Sequence, residues 1–293
     1  MSSGAAVTDS ASALSLARSF LFVPANRPDR YAKALASGAG AVIVDLEDAV
    51  ASADKLAARI QLVAEFGKLS LADRSRLALR INAAGTPWHE DDLLLLSQLA
   101  QAGLAGVVLP KVESVAAVER VAAHIGQSCA LLPMLESAAG LAQLDLVAAR
   151  AGVTRLVFGN LDFQADLGMA CGPDEAELQP VRLALVLASR RAGLPAPVDG
   201  VTPTTGRVDG GAQLQLDAQR SRRSGFGAKL CIHPDQVATV NAALGPTSAE
   251  VDWASRVLDH SARTGEGVFV LDGRMVDAPV LLLARRVLAQ SAG

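Results

Sequence analysis

The sequence is poor in aromatic residues, in cysteine and in net charge, and each shortage excludes a class of protein. Aromatic residues make up only 3% of the 293 residues, so the core must be built mainly from closely packed Ala, Val and Leu. A net charge of −3 and a pI near 5.8 give no general attraction to nucleic acid or to an anionic membrane. Any phosphate-bearing ligand must therefore be held by a few placed Lys and Arg side chains.

The three cysteines, Cys129, Cys171 and Cys231, are scattered and lack the paired spacing of a zinc site or a disulfide framework. This pattern suits a reducing compartment, and we expect a cytoplasmic protein. The charge-free stretch 93–110 is broken by Ser, Gln and Gly residues. It therefore predicts a helix followed by a buried strand and no membrane span.

Short apolar runs alternate with Ala- and Leu-rich helical stretches from residue 19 onward. The eight predicted strands are 20–24, 41–46, 77–82, 106–110, 130–135, 155–159, 197–201 and 228–232. Apolar strands separated by helices are typical of a parallel sheet covered by helices, and eight such units close a barrel. We therefore predict an α/β protein with a TIM (β/α)8 barrel, and a doubly wound open sheet is the alternative.

The pattern divides the chain into three segments. Residues 1–17 are rich in Ser and Ala and are predicted to be a disordered tail, with an organelle-targeting segment as the alternative. Residues 18–245 form the barrel. Residues 246–293 combine an amphipathic helix, a glycine-rich stretch with two extended pieces and a last helix, which predicts a C-terminal arm or lid outside the barrel.

Two carboxylates follow neighbouring predicted strands, Glu136 after the fifth and Asp162 after the sixth. In a barrel the carboxyl ends of the strands carry the catalytic loops. Two hard oxygen ligands there can hold Mg²⁺ or Mn²⁺ while leaving positions open for substrate and water. None of the four histidines has a paired metal spacing, which disfavours Zn²⁺. From spacing alone, two rim carboxylates that never meet are the alternative.

Charged residues also end the second and third predicted strands. Arg80 ends the third, where a guanidinium can clamp a carboxylate or stabilise a developing oxyanion, although a surface salt bridge is the alternative. The acidic run Asp45, Glu47 and Asp48 ends the second. We expect its members to orient metal-bound waters or to hold Arg80 in place.

Several sequence blocks resemble the citrate lyase β-subunit-like family of the HpcH/HpaI aldolase group. The blocks run in order along nearly the whole chain and read FLFVPANRPDRYAKALASGAGAVIVDLEDAV, LRINAAGTPWHEDDL, VVLPKVES, LPMLES, GNLDF, GAKLCIHPDQV and LDGRMVDAPV. This resemblance implies a TIM barrel, a bound Mg²⁺ and a lyase acting on an acyl thioester. The chain departs from the family pattern at Ala25, where Gly is common, and at Asn160-Leu161, where Ala/Thr-Glu is common.

The resemblance also implies roles for individual residues. Glu136 and Asp162 match the magnesium ligands, and Arg80 matches the arginine that binds substrate oxygens beside the metal. Asp277 matches a catalytic aspartate of the C-terminal arm that enters a neighbouring subunit's site, which implies a homotrimer or a multiple of it. The residues that match contacts to coenzyme A are Phe22, Arg27 and Lys33.

These expectations combine into a hypothesis of function: Mg²⁺-dependent cleavage of a short 3-hydroxy-acyl-CoA to a 2-oxo acid and an acyl thioester, with Asp277 as acid. Three alternatives stay open. The chain could be a citrate lyase β-subunit that acts on a carrier-protein thioester, or a class II aldolase acting on free 2-oxo acids. It could also be a non-catalytic binding barrel. We expect neither nucleic acid nor membrane as a partner.

Overall fold

A computed structural model describes residues 10–205 and 209–291 and divides the chain into two compact units, Met1–Asn241 and Ala242–Gly293. The boundary falls inside a helix, Val237–Leu244. The division predicted from the sequence, at residues 245 and 246, lies within about one helical turn of it. None of the helices in the described ranges combines the length and apolar character that crossing a bilayer requires.

The first unit contains eight parallel strands that form a closed barrel. They are β1 (Ser19–Pro24), β2 (Ala41–Asp45), β3 (Leu77–Arg80), β4 (Gly106–Leu109), β5 (Ala130–Leu135), β6 (Val157–Phe158), β7 (Val198–Asp199) and β8 (Ala228–Cys231). The barrel closes through β1, where Phe20 pairs with Ala41 on one side and with Leu230 on the other. The predicted barrel is confirmed, and the alternative of an open sheet is wrong.

Helices surround the strands and cover them from solvent. In the first unit they are α1 (Ser10–Leu16), α2 (Tyr31–Leu35), α3 (Lys55–Phe66), α4 (Leu71–Arg74), α5 (His89–Gln101), α6 (Val115–Ala122), α7 (Ala138–Ala142), α8 (Leu144–Ala148), α9 (Asn160–Leu167), α10 (Gln179–Arg191), α11 (Asp209–Arg223) and α12 (Val237–Leu244), the last of which crosses the boundary. Because both faces of the sheet are covered, β2 and β5 are buried at every residue.

The barrel interior is filled by small and branched aliphatic side chains. Alternate residues of one strand enter it, such as Ala41 with Ile43 and Leu132 with Met134. Alanines and a glycine on neighbouring strands leave room for larger side chains. A Cβ added at Gly106, for example, would lie 2.5 Å from Cδ1 of Leu14. The barrel core is therefore filled by closely packed aliphatic side chains, with few aromatic ones.

The N-terminal segment differs from its prediction. The described part of the predicted tail 1–17 contains the helix α1, whereas residues 1–9 lie outside the described residues. Leu14 of this helix is fully buried in the barrel core. The buried guanidinium of Arg155 donates to the carbonyl oxygens of Leu14 and Ala17, at 3.2 and 2.7 Å. Residues 10–17 are thus an ordered part of the barrel, and a tail over those residues is wrong.

The second unit is built from two helices and a hairpin. Its elements are α13 (Ser248–Thr264), β9 (Phe269–Leu271), β10 (Arg274–Val276) and α14 (Ala278–Ser291). Asp272 and Gly273 join the strands and both have positive φ, as a two-residue type I′ turn requires. Side chains of all four elements, among them Val257, Phe269 and Val276, form a separate small core. The two extended pieces predicted in the glycine-rich stretch correspond to this hairpin.

We predict that Leu14→Ala lowers the free energy of unfolding by about 2–5 kcal/mol, because it leaves a cavity in the packed barrel core. Leu16→Ala is the matched control. Leu16 lies in the same helix but is 72% exposed, so its truncation should change stability by less than about 0.5 kcal/mol. Urea unfolding followed by circular dichroism measures both. Equal effects of the two substitutions would show that α1 does not contribute to the core.

Candidate active site

The carboxyl ends of the strands surround a cleft of about 840 Å³. Its floor carries apolar side chains such as Phe22, Met134 and Leu230. Charged side chains from several loops line it as well, and these are Asp29, Arg30, Lys33, Asp45, Asp48, Arg80, Glu136 and Asp162. This combination of an apolar floor and convergent polar groups is typical of a ligand site at the catalytic face of a barrel.

Glu136 and Asp162 lie together in the cleft. Glu136 directly follows β5, Asp162 lies in the first turn of α9 after β6, and the two strands are hydrogen-bonded neighbours. Burial raises the pKa of Glu136, and the nearby carboxylates of Glu47 and Asp162 raise it further. The predicted pair therefore meets, and the alternative of two unrelated rim residues is wrong.

The carboxylate of Glu136 is held on two sides. Its Oε1 accepts a hydrogen bond of 2.6 Å from the backbone N–H of Lys111, which follows β4. Its Oε2 lies against Gly159, where an added Cβ would approach to 2.2 Å. Glycine is therefore required at position 159 for a steric reason, since any side chain would displace Glu136.

The segment around Asp162 is held from behind by Asn160 and Glu175. The Asn160 amide accepts from the Val201 N–H at 2.9 Å and donates to Oε1 of Glu175 at 2.9 Å. Glu175 in turn accepts from the guanidinium groups of Arg182 and Arg220. The departure from the family pattern at position 160 therefore places a hydrogen-bonding side chain that ties α9 to the loop after β7.

Arg80 is buried and already paired. Its Nε and one terminal nitrogen donate to both oxygens of Asp45, at 2.7 and 2.6 Å, and the other terminal nitrogen lies 2.9 Å from Glu47. Burial lowers the pKa of Arg80, but the combined effects of Asp45, Glu47 and Asp48 outweigh burial and the net pKa is raised. The Phe22 ring stacks 4.7 Å from the guanidinium. Arg80 is thus a fixed cation.

The acidic run was expected either to orient metal-bound waters or to hold Arg80 in place. The contacts support the second role. Asp45 is itself fixed by the backbone N–H groups of Glu47 and Ala49, at 2.8 and 3.1 Å. Asp48 is 56% exposed and lies 3.8 Å from Arg80, so it contributes least. A surface salt bridge, the alternative for Arg80, is wrong.

The residues expected to contact coenzyme A are only partly brought together. Phe22 and Lys33 line the cleft. Arg27 lies outside the lining and forms an exposed ion pair of 2.7 Å with Asp29. Arg30 also lines the cleft, as Lys33 does, but it was not among the residues predicted from the sequence to contact coenzyme A. The turn Pro28–Arg30 leads into α2, so Arg30 and Lys33 are three residues apart, and this helical spacing was the available signal.

Asp277 belongs to the second unit. It precedes α14, where its Oδ1 accepts a 3.3 Å hydrogen bond from the Val280 N–H and its carbonyl accepts from Leu281. This is the geometry of a helix N-cap, which leaves the second carboxylate oxygen available. Its catalytic role stays a prediction.

The donor set fits a hard divalent cation. No cluster of three or more His, Cys, Asp and Glu side chains suited to a metal occurs in the part of the chain that the structure describes. A cation between Glu136 and Asp162 would therefore take the rest of its ligands from water and substrate, as Mg²⁺ commonly does. Burial and repulsion from neighbouring carboxylates raise the pKa of Glu136. The positive charge of such a cation would counteract both effects by stabilising the ionised carboxylate.

Comparison with known proteins identifies relatives over nearly the full chain. The family model described as HpcH/HpaI aldolase/citrate lyase matches residues 18–234. A citrate lyase subunit beta-like protein of Deinococcus radiodurans is 36% identical, covering 94% of this chain and 98% of that protein. A (3S)-malyl-CoA thioesterase of Cereibacter sphaeroides is 33% identical, covering 94% of each. The resemblance predicted from the sequence blocks is confirmed.

The solved structures agree with these relatives. CitE from Mycobacterium tuberculosis in complex with magnesium, acetoacetate and coenzyme A superposes with a TM-score of 0.79 at 35% identity, covering 94% of this chain and 98% of that one. The citrate lyase beta subunit of the same organism, complexed with oxaloacetate and magnesium, gives a TM-score of 0.67 at 35% identity, covering 80% and 99%.

We predict that Asp45→Asn lowers the free energy of unfolding by about 3 kcal/mol, because it removes the charge that both Arg80 nitrogens contact and leaves a buried cation short of a partner. Asp48→Asn is the control and should cost less than about 0.5 kcal/mol, since Asp48 is exposed. Urea unfolding of both variants at one pH measures the difference. Similar losses in the two would contradict the assignment of Asp45 as the main partner of Arg80.

Proposed function

The chain belongs to the HpcH/HpaI aldolase/citrate lyase family, and from this premise we propose that it is a Mg²⁺-dependent carbon–carbon lyase that acts on a short 3-hydroxy-acyl-CoA thioester. The observation that carries the proposal is the meeting of Glu136, Asp162 and Arg80 in one cleft. Two carboxylates beside a fixed guanidinium suit a substrate that presents a hydroxyl and a carboxylate. The cation, when bound, supplies Lewis-acid polarisation of these substrate oxygens.

The reaction follows from the groups in the cleft. Glu136 and Asp162 would hold the cation, and Arg80 would bind the carboxylate of the substrate beside it. Loss of the hydroxyl proton to solvent water allows the adjacent carbon–carbon bond to break, which yields a 2-oxo acid and a thioester enolate. Asp277 in its protonated form returns a proton to the enolate carbon, so no oxidant or reductant is needed. In the condensing direction Asp277 is the base.

We infer that Asp277 acts in an assembly of several subunits, as the resemblance to the family implies. We infer that the C-terminal unit of one chain serves the barrel cleft of a neighbour, in a homotrimer or a multiple of it. The exposed cations Arg30 and Lys33 stand at the cleft and suit the phosphates of coenzyme A in an otherwise acidic protein. The three free thiols are consistent with the cytoplasm as its location.

A second candidate is hydrolysis of the thioester, which the similarity to a (3S)-malyl-CoA thioesterase favours. The two reactions release different products from the same substrate. A lyase releases a 2-oxo acid and an acyl-CoA, whereas a thioesterase releases a hydroxy acid and free coenzyme A thiol. Both reactions start from the same substrate in the same cleft, so the geometry of the cleft alone favours neither.

A panel assay tests the proposal. Malyl-, methylmalyl-, citramalyl- and citryl-CoA are incubated with the protein and Mg²⁺, and 2-oxo acid and free thiol are measured in parallel. We expect 2-oxo acid without free thiol from at least one substrate. Release should stop with EDTA and fall by at least about 100-fold in Glu136→Ala, since that variant loses a metal ligand.

The other outcomes identify the rivals. Free thiol without 2-oxo acid would establish the thioesterase. Cleavage of 2-oxo acid substrates that carry no coenzyme A would establish a class II aldolase. Mg²⁺ binding without product from any thioester would favour a carrier-protein substrate, and failure to bind Mg²⁺ at millimolar concentration would favour a non-catalytic barrel.

Co-expression of two inactive variants tests the role of Asp277. Glu136→Ala has an intact arm and Asp277→Asn has an intact barrel, and each alone should lose activity by orders of magnitude. A random one-to-one mixture should recover about a quarter of the wild-type activity, because that fraction of sites combines an intact barrel with an intact neighbouring arm. Recovery near zero would contradict a site shared between chains, and near-normal turnover of Asp277→Asn alone would remove its role.

A further inference from the structure

Lys111 has a backbone conformation that is unusual for its residue type. It is one of three non-glycine residues with positive φ in the described residues, with φ of +49°; the others are Glu175 and Asp272. The left-handed region places Cβ close to the following carbonyl oxygen, so it is unfavourable for residues other than glycine, with Asn and Asp the best tolerated. Such a conformation persists only where surrounding contacts hold it, and these sites are often functional.

The conformation aims the backbone of Lys111 at the candidate metal site. Its N–H donates to Oε1 of Glu136 over 2.6 Å, although the two residues lie on different strand ends. The opposite oxygen of Glu136 rests against Gly159. The carboxylate is thereby confined between the loop after β4 and the end of β6, and its orientation depends on where the Lys111 amide points.

The side chain of Lys111 anchors the same loop. Its ammonium donates to Oε1 of Glu47 at 2.8 Å and lies 3.7 Å from Asp48. Glu47 is also contacted by Arg80 at 2.9 Å. The ammonium therefore ties the loop after β4 to the end of β2, and this ion pair offsets part of the cost of the left-handed backbone.

We propose that Lys111 is a positioning residue for Glu136: its left-handed backbone directs the amide N–H onto one carboxylate oxygen and so sets the orientation in which Glu136 binds a divalent cation. The inference rests on the proposed function only in taking Glu136 as a ligand. It assigns the effect to backbone conformation rather than to the lysine charge, and the two contributions can be separated by substitution.

Four variants separate them. Lys111→Gly and Lys111→Asn remove the ammonium but tolerate positive φ, whereas Lys111→Ala and Lys111→Val remove the ammonium and disfavour it, Val more strongly because it is β-branched. We expect the Gly and Asn variants to bind Mg²⁺ with similar Kd. The Val variant should bind at least about 10-fold more weakly than Asn, with Ala between them, because its backbone relaxes and turns the amide away.

Titration calorimetry with Mg²⁺ on the full-length chain gives the Kd values without any need for turnover. The thermal midpoint of each metal-free variant is the control, since a purely structural strain lowers the midpoint of Val without separating the Kd values. If Val does not fold, the comparison of Ala with Asn decides. Equal Kd values in all folded variants would overturn the proposal. Lack of Mg²⁺ binding by the wild-type chain would instead refute the proposed function, so the two failures are distinct.

Discussion

Repulsion between carboxylates crowded at one end of the barrel is the constraint on which the arrangement of the cleft depends. Four acids converge there with two cations between them, namely Asp45, Glu47, Glu136 and Asp162 with Arg80 and Lys111. The acids of this group outnumber the cations, so negative charge is left over when all of them are ionised. Burial is the main cause of the raised pKa of Glu136, and the carboxylates of Glu47 and Asp162 raise it further. The cleft is therefore a fixed ionic frame whose excess of carboxylates suits the divalent cation proposed to bind there.

The barrel was predictable because its strands are short apolar runs that alternate with helical stretches along the chain. The strand at Ala130–Leu135 has the predicted bounds, whereas the sixth and seventh strands are shorter than predicted. The chain turns into α9 directly after Gly159 and into a loop after Asp199, and an added Cβ at Gly159 or Gly200 would collide with Glu136 or Asn160. The order of residues 10–17 was missed because Leu14 is a single apolar anchor in a Ser- and Ala-rich segment, and its contact with Arg155 is not encoded locally.

The candidate site was predictable where a residue acts from a strand end and unpredictable where it acts through the backbone. Glu136, Asp162 and Arg80 meet because parallel strands bring their carboxyl ends to one edge. Lys111 was recognisable only as a polar residue at a strand end, and Glu175 was not predicted, because a positive φ in a residue with a side chain leaves no mark in composition or spacing. Their importance lies in contacts that cross between strand ends.

The two carboxylates proposed to bind the metal are held in place by different means. Glu136 is held by the backbone of Lys111, and the segment carrying Asp162 is held by Asn160 through Glu175 and a buried arginine pair. Both supports lie within the barrel unit, whereas Asp277 belongs to the other unit. In the proposed reaction the substrate site and the proton donor thus come from different units of the chain, so that proton transfer depends on assembly without disturbance of the proposed metal ligands.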